Sequence, residues 1–320
     1  MDYLIKKLRY LAMYLLNIVF RDLAVKIWKP EFLFAVYGDE RDVRTYCSEA
    51  MQNKMRPIMI GNFIKLGKHR GFLVSSKYFE SELAKDNDKV RDYIKNLHAE
   101  FPDVKKIALV GRLPTFVRRS GIRIDGKLVD GAAGTRFMIK EALSRFENRD
   151  RLVVLGGVGR IGGLVCQDAL GMFGHIVAFD IRKSDDEFYG PCVHTSDVSY
   201  FKGCRNFVCL LPVGGDIETI KQFIEPGALI ADDTHPPIHR EIRKELQENG
   251  VEVNKIIAVN PKFKCYPKMP QWKSGAIPGC LVEALALIED ETLDPRQWER
   301  FSRAVKEQGF SGLLTKTEKV

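Results

Sequence analysis

The stretch that decides the fold is RLVVLGGVGRIGGLVCQDALGMFGHIVAFDIRK, residues 151–183. An apolar run at 152–155 leads through a glycine cluster into a segment of helical periodicity, and a second apolar run at 176–179 ends on Asp180. This order predicts a strand, a helix and a parallel strand. Glycines at such a turn let the backbone approach a pyrophosphate, whose charge then lies at the positive end of the helix.

The glycine cluster fits a dinucleotide-binding motif in two overlapping ways. Gly157, Gly159 and Gly162 match G-x-G-x-x-G, and Gly156 opens a G-x-x-G-x-x-G reading. A strand before, a helix after and an acidic residue about 20 positions on are the context that this motif requires. We therefore predict NADH or NADPH as cofactor. The predicted cofactor-binding residues are Gly156, Gly157, Gly159, Arg160, Ile161, Gly162, Asp180, Arg182 and Pro212.

The choice between the two cofactors depends on the end of the second strand. Asp180 stands where a carboxylate usually accepts the ribose hydroxyls, and this favours NADH. Arg182 and Lys183 follow at once and offer positive charge to a 2′-phosphate. Since a carboxylate beside a phosphate is electrostatically unfavourable, the sequence favours NADH modestly.

The totals indicate a globular protein of more than one domain. A chain of 320 residues exceeds the size at which one hydrophobic core stops growing. The formal net charge of +8 and the pI near 9.0 indicate an acidic partner, either an anionic membrane or an acidic carrier protein. Nucleic acid is disfavoured because the basic residues are dispersed and no base-stacking motif accompanies them. Seven scattered cysteines without C-x-x-C spacing indicate a reducing, cytoplasmic compartment and no structural zinc.

The first 29 residues predict a helix with an apolar run at 8–20. At about 13 residues the run is too short to cross a bilayer core of about 30 Å. Its basic and aromatic residues suit a peripheral position on a membrane. Docking on the protein's own core, or on a second copy in a homo-oligomer, is an equal alternative.

Alternating strands and helices predict an α/β fold made of a doubly wound Rossmann-type nucleotide domain and an N-terminal α/β domain. We place the domains at 1–29 (the apolar, basic helix), 30–130 (substrate domain), 131–276 (nucleotide domain with a catalytic loop) and 277–320 (helices that pack back across both). Residues 78–101 predict one long helix, and 122–129 a β-hairpin. Small residues at 131–135 open a helix whose N–H groups hold either a ligand oxygen or a packed segment.

Ligands in doubly wound sheets lie beyond the carboxyl ends of the strands, which directs attention to the loops 212–215, 232–237 and 260–272. The third loop contains Cys265 among lysines, and neighbouring ammonium groups favour the nucleophilic thiolate. In the second, His235 is a candidate proton donor or substrate-orienting group. Two prolines interrupt the stretch DDTHPPIHR and no third ligand is evident, so we predict no metal site.

Several segments together resemble the long-chain fatty acyl-[acyl-carrier-protein] reductase family best known from cyanobacteria. The matching segments are FLFAVYGDERDVRTY, GFLVSSKYFESEL, DGAAGTRFMIKEAL, GGVGRIG, DDTHPP, AVNPKFKCYPKMPQW and IPGCLVEALAL. The resemblance implies an acyl chain held on Cys265 as a thioester and reduced by a nicotinamide to an aldehyde, with acyl carrier protein or coenzyme A as carrier. The family favours NADPH and has a basic residue where this chain has Asp180, and an aromatic residue is commoner at His235.

Three functions follow from these patterns. In the first, Cys265 attacks an acyl thioester and Lys264 stabilises the oxyanion. In the second, the chain is an NAD(H)-dependent dehydrogenase of a small oxo, hydroxy or imino acid, without a covalent step and with His235 as acid and base. In the third, it binds the dinucleotide without turnover and uses the N-terminal helix to contact a partner. The predicted catalytic residues are Cys265, His235 and Lys264.

Overall fold

The structure, a computed structural model, describes residues 2–268 and 274–316. It consists of two units, Met1–Gly134 with Asn260–Gly309 and Thr135–Val259 with Phe310–Val320. The first 29 residues belong to the first unit and are no separate domain. The prediction that 260–276 belongs to the nucleotide domain is wrong, because the chain re-enters the first unit at Asn260. The end of the predicted catalytic loop, 269–272, lies outside the described residues.

Both units contain helices and strands. The helices, in chain order, are α1 (Asp2–Leu15), α2 (Arg21–Trp28), α3 (Glu40–Tyr46), α4 (Glu49–Asn53), α5 (Glu80–Leu83), α6 (Asn87–Glu100), α7 (Leu113–Arg119), α8 (Ala132–Leu143), α9 (Arg160–Ala169), α10 (Arg240–Glu248), α11 (Gly279–Glu289) and α12 (Trp298–Glu307). The strands are β1 (Phe32–Gly38), β2 (Ile58–Leu66), β3 (His69–Phe79), β4 (Lys106–Leu109), β5 (Leu128–Val129), β6 (Arg151–Leu155), β7 (His175–Phe179), β8 (Glu187–Tyr189), β9 (Cys192–Thr195), β10 (Asn206–Cys209), β11 (Leu229–Asp232), β12 (Glu252–Val259), β13 (Phe263–Tyr266), β14 (Ala276–Ile277) and β15 (Ser311–Lys316). A π-helical turn, Leu16–Phe20, joins α1 to α2, and 3₁₀ turns lie at Val198–Phe201, Gly214–Thr219 and Lys221–Phe223.

The first unit is built on a mixed sheet with the strand order β13-β2-β3-β1-β4-β5. Strands β3, β1, β4 and β5 run parallel to one another, and β2 is antiparallel to both β3 and β13. Alternate residues of β1 and β3, among them Leu33, Phe72 and Val74, enter a core that α6 and α7 complete with side chains such as Tyr93 and Phe116.

Two local predictions in this unit are wrong. The predicted helix 78–101 is divided because β3 continues to Phe79 and Asp86 caps α6 by accepting from the backbone of Asp88 at 2.9 Å. The predicted hairpin at 122–129 does not form. Ile122 and Ile124 pack against the core, and the short strand Leu128–Val129 pairs in parallel with β4. A helix cap thus decided the first segment, and burial of apolar side chains decided the second.

The N-terminal helical segment docks on its own unit through two buried polar side chains. The amide of Asn17, fully buried, donates to the carbonyl of Ile60 at 2.9 Å and accepts from its N–H at 2.6 Å. Arg21 donates to the carbonyl of Ile58 and pairs with Glu100. β3 pairs with β2 at Ile58 and Ile60, but β13, on the other edge of β2, pairs only with Phe63–Leu66. Both contacts therefore satisfy backbone groups of β2 on the edge that β13 does not reach. The structure thus contains the docking on the chain's own core, and a peripheral position on a membrane stays a prediction.

The second unit has the strand order β9-β7-β6-β10-β11-β12, and all these strands are parallel. Counted from β6 along the chain this is the order 3-2-1-4-5-6 of a doubly wound dinucleotide-binding sheet. Two antiparallel strands extend it, β8 beside β9 and β15 beside β12. The predicted Rossmann-type fold class is therefore confirmed. The segment between β10 and β11 contains two 3₁₀ turns.

The helix entry at 131–135 is occupied by the chain itself. The carboxylate of Glu283 on α11, nearly buried, accepts from the N–H of Ala133 at 2.8 Å and from that of Gly134 at 3.4 Å. A carboxylate at a helix N-terminus satisfies unpaired N–H groups and complements the helix dipole. Of the two predicted readings, a packed segment is the one that this part of the fold contains.

Candidate active site

The glycine turn between β6 and α9 is shaped by close backbone contacts. Gly156 has φ +81°, and a Cβ there would lie 2.7 Å from the carbonyl oxygen of Leu210. A Cβ on Gly162 would lie 2.2 Å from the carbonyl oxygen of Gly156 and 2.7 Å from Cα of Gly157. The first turn of α9 and the end of β6 are therefore too close together to admit a side chain at Gly162. The turn therefore needs glycine for its backbone conformation at Gly156 and for close packing at Gly162.

The N-terminus of α9 has the features of an anion site. Gly159 is the N-cap and carries no side chain that could occupy the position, and the first turn contains no acidic residue. The first turn of a helix presents N–H groups that lack intrahelical acceptors, together with the positive end of the helix dipole. The N–H of Gly159 donates to the carbonyl of Gly156 at 3.0 Å within the turn. The N–H groups at Arg160, Ile161 and Gly162, in the first turn of α9, are therefore the ones that would hold a dinucleotide pyrophosphate.

Asp180 lies next to this turn because the end of β7 is tied to it. The N–H groups of Gly156 and Gly157 both donate to the carbonyl of Phe179, at 2.9 and 3.1 Å. The nearly buried Asp180 carboxylate accepts Nε and Nη2 of Arg182 at 2.8 and 2.6 Å. This hydrogen-bonded guanidinium lowers the pKa of Asp180. The acid that we predicted to select NADH is therefore neutralised by its neighbour.

Two of the predicted loops meet at the carboxyl edge of this sheet. The N–H of Gly214 donates to the carbonyl of Pro236 at 3.0 Å, and a Cβ on Gly214 would lie 2.3 Å from the nitrogen of Ile238. Pro212 is exposed in the first of these loops. Leu210, two residues before it, donates to the carbonyl of Leu155 at 2.9 Å, which ties β10 to the end of β6.

The two aspartates of DDTHPP differ in what surrounds them. Asp232 is buried and accepts from Thr234 N at 3.0 Å, from Thr234 Oγ1 at 2.7 Å and from Ile238 N at 3.1 Å, so it holds the loop together. Within residues 2–268 and 274–316, the carboxylate of Asp233 has no hydrogen-bond or ion-pair partner. Burial, followed by repulsion from Asp232, raises the pKa of Asp233 to about 8. Asp233 is thus a half-buried carboxyl that is protonated at neutral pH.

His235 lies two residues further on, and its side chain is exposed at the surface of the loop. The surrounding protein, followed by the charge of Lys255, lowers the pKa of the imidazole. Lys255 stands opposite Asp232 on the neighbouring strand β12, and its charge also acts on Asp233. The edge therefore carries a protonated carboxyl, a neutral imidazole and an ammonium group.

Cys265 occupies a strand, not the predicted loop. It lies in β13 of the first unit, paired with Ile64 of β2, and its thiol donates to the carbonyl of Pro267 at 3.5 Å. Lys264 pairs with Lys65, and neighbouring residues of a strand point to opposite faces of the sheet. This register directs the side chain of Lys264 to the face of the sheet opposite to Cys265, so the register does not support the predicted role of Lys264 as the cation beside the thiol.

The face of the sheet that carries Cys265 also borders a cavity of about 750 Å³ within the first unit. Ile64 and Asn62 lie on the same face of β2, and Asn62 lines the cavity. The amide of Asn62 donates to the carbonyl of Pro267 at 2.6 Å, so it shares that acceptor with the Cys265 thiol. The apolar lining includes Met13, Tyr14, Met55, Met59, Leu73 and Phe79. A volume of this size is in the range of small-molecule sites, about 300 to 1,000 Å³.

The sequence patterns assign no role to Asp233 or Lys255, and they do not predict the cavity. Lys255 could have been noticed as the one basic residue in an otherwise strand-like run, EVNKIIAV. The pKa of Asp233 could not, because it depends on burial that only the folded loop creates. Among the described residues, no group of three or more histidine, cysteine, aspartate or glutamate side chains has a metal-binding arrangement.

No protein-family model matches the chain, and no curated protein does. Among solved structures, L-tryptophan dehydrogenase from Nostoc punctiforme is 14% identical, with a TM-score of 0.41 over 88% of this chain and 79% of that one. A glyoxylate reductase from Paecilomyes thermophila is 15% identical, with a TM-score of 0.35 over 73% and 79%. D-Lactate dehydrogenase from Aquifex aeolicus, solved with NAD and lactic acid, is 13% identical, with a TM-score of 0.31 over 87% and 86%. These similarities concern the fold.

Proposed function

We propose that this protein is an oxidoreductase that uses NADH or NADPH and acts on a small oxo, hydroxy or imino acid. The observation that carries the proposal is the position of Asp233, whose pKa burial raises to about 8, at the carboxyl edge of the sheet whose central strand leads into the glycine turn. Ligands of such sheets bind at this edge. A proton donor and an anion-binding helix N-terminus on one edge are the two protein components that hydride transfer to a carbonyl requires.

A bound nicotinamide would supply the hydride to the substrate carbon. Asp233, protonated below a pH of about 8, gives its proton to the carbonyl oxygen or imine nitrogen, so the product is an alcohol or an amine. His235, kept neutral by its lowered pKa, orients the same polar group by a hydrogen bond. The charge of Lys255 attracts the carboxylate of an anionic substrate.

The test is the oxidation of NADH and NADPH, followed by absorbance with a panel of oxo acids and, for imine formation, ammonia. Asp233→Asn is expected to lower kcat roughly 100-fold while the dissociation constant of the cofactor stays within about twofold. Asp216→Asn, the same change at an exposed position near this edge, serves as the control and keeps activity. Failure of the wild type to bind either dinucleotide would overturn the proposal, as would full activity in Asp233→Asn.

A second candidate is the reduction of an acyl thioester to an aldehyde, which the position of Cys265 on the cavity side of its sheet favours. The Cys265 thiolate would attack the acyl carbonyl, and the thiol of acyl carrier protein or coenzyme A would leave. Hydride transfer to the carbonyl carbon and expulsion of the Cys265 thiolate then give the aldehyde. The apolar cavity would hold the acyl chain.

This candidate is tested without a reductant. After incubation with an acyl thioester, mass spectrometry of the intact protein and of its peptides is expected to detect one acyl group on Cys265. The acyl group should be absent in Cys265→Ser and present in Cys280→Ser, which removes another partly buried thiol. An unmodified Cys265 together with oxo-acid turnover would exclude the covalent route and support the first proposal.

A further inference from the structure

The outward face of the N-terminal helical segment is a continuous apolar stripe. Its side chains are between 43% and 64% exposed. The stripe consists of Leu4, Leu8, Leu11, Leu15, Val19, Leu23 and Ile27. From Leu15 onward the members recur every four residues, a spacing that would rotate around a regular α-helix. The π-helical turn Leu16–Phe20 takes up the additional residue and keeps the stripe on one side.

The stripe cannot turn inward, because the opposite side of the same helical segment is fixed. Asn17 and Arg21 are buried against β2 through hydrogen bonds to Ile60 and Ile58. Met13 and Tyr14 line the cavity of the first unit. The exposure of the stripe is therefore a consequence of how the segment docks. Exposed apolar patches of this extent are typical of interaction sites.

Charge identifies the kind of partner. The first 29 residues contain six basic side chains and two acidic ones. Of the six, Arg21 is buried and paired with Glu100, and Lys6 is paired with Asp42. Lys7 and Lys26 lie beside the stripe on the same flank of the helix, one near each end, and both are exposed. The stripe itself consists of aliphatic side chains, whereas protein interfaces favour tryptophan, tyrosine and arginine at their centres. An aliphatic face bordered by lysines is typical of helices that lie in a membrane interface.

We propose that this stripe docks the protein on the surface of an anionic bilayer, with the helical segment parallel to the membrane plane. The described residues include no helix with the length and apolar content needed to cross a bilayer. A second copy of the chain fits less well, because pairing two such faces would bring the basic flanks of both copies together. When the stripe contacts the membrane, the opposite face of the helical segment still lines the cavity.

The experiment is cosedimentation of the full-length protein with vesicles of equimolar phosphatidylserine and phosphatidylcholine, and with vesicles of phosphatidylcholine alone. The wild type is expected to bind the anionic vesicles and to be released by salt. The triple variant Leu8→Gln, Leu15→Gln and Leu23→Gln should bind the anionic vesicles at least roughly tenfold more weakly than the wild type. The control, Leu170→Gln with Phe188→Gln, removes exposed apolar side chains elsewhere and should bind like the wild type.

The substituted side chains point away from the protein, so the triple variant is expected to keep the circular dichroism and urea-unfolding midpoint of the wild type. Equal binding of the triple variant and the wild type would overturn the proposal, as would equal binding to both kinds of vesicle. Light scattering tests whether a second copy of the chain binds the stripe instead. A wild type that is dimeric and does not bind vesicles, with a monomeric triple variant, would assign the stripe to a second copy.

Discussion

Asp180 and Arg182 form a bidentate ion pair at the end of β7, with nitrogen to oxygen distances of 2.8 and 2.6 Å. The carboxylate is nearly buried, whereas the guanidinium is largely exposed. Asp180 therefore stays in place, and Arg182 is the member of the pair that can move. An NADH ribose would take over hydrogen bonds from Arg182, and the 2′-phosphate of NADPH would instead contact the guanidinium.

This pair predicts that Arg182→Ala shifts the preference towards NADH. Without the guanidinium, the Asp180 carboxylate repels a 2′-phosphate, and we expect the ratio of the NADPH to the NADH dissociation constants to rise about tenfold. Fluorescence titration with both dinucleotides measures the ratio. Lys183→Ala is the control, because Lys183 is paired with Glu187. A ratio that changes equally in both variants would contradict a specific role for Arg182.

Neighbouring glycines of α9 are expected to respond in opposite ways to alanine. Gly162→Ala places a methyl group 2.2 Å from the carbonyl oxygen of Gly156, so the turn must open and dinucleotide affinity should fall at least roughly 100-fold. Gly163→Ala meets nothing nearer than 4.0 Å. It should stabilise the helix by about 0.5 to 1 kcal/mol and keep affinity. Isothermal titration calorimetry and urea unfolding measure the two effects, and similar affinities in both variants would argue against this turn as the site.

The raised pKa of Asp233 makes stability depend on pH. The pKa is about 8 in the folded protein and 3.8 ordinarily, so between these values the folded state holds a proton that the unfolded state has lost. The free energy of unfolding therefore falls as pH rises from about 4 to 8, and is then constant with respect to this group. Asp233→Asn removes this loss. At pH 8 the variant should be more stable than the wild type by about 2 kcal/mol. This is less than the full pKa difference would give, because the carboxyl is only half-buried and solvent screens it.

Urea unfolding of both proteins at pH 5 and pH 8 measures the difference. The advantage of Asp233→Asn should grow between the two pH values. Asp216→Asn, at an exposed position, should leave the pH dependence of the wild type unchanged. A constant offset between Asp233→Asn and the wild type would mean that Asp233 titrates at its ordinary pKa.

The second unit could be predicted from sequence because its signals are local. The run from Arg151 to Asp180 contains a strand, a glycine turn, a helix and a strand in continuous order. Each of these elements is predicted by the pattern of its own residues. The surroundings of Cys265 could not be predicted in this way. The pairing of β13 with β2 joins Cys265 to Ile64, about 200 positions earlier, and no periodicity in either segment encodes such a pair. That lysines stand beside the thiol in sequence therefore does not show which face of the sheet each lysine side chain occupies.

The N-terminal segment illustrates the same limit on a smaller scale. Its sequence predicts a helix with an apolar run at 8–20, but the structure buries the face that contains Asn17 and Arg21 and exposes the leucines. The unpaired backbone of β2 decides this orientation, because buried N–H and C=O groups must find partners. From the sequence of this helix alone, we would expect its leucines to face the protein core.

Asn17→Ala tests whether those backbone contacts hold the segment. The change leaves the N–H and carbonyl of Ile60 without the partners they have at 2.6 and 2.9 Å, and both are shielded from water. We expect a loss of about 2 to 3 kcal/mol in the free energy of unfolding. Asn96→Ala is the matched control, since Asn96 donates only to the carbonyl of Asp92 in its own helix and should cost about 0.5 kcal/mol or less. Equal urea midpoints for the two variants would mean that water replaces Asn17 at β2, and the orientation of the helix would then need another cause.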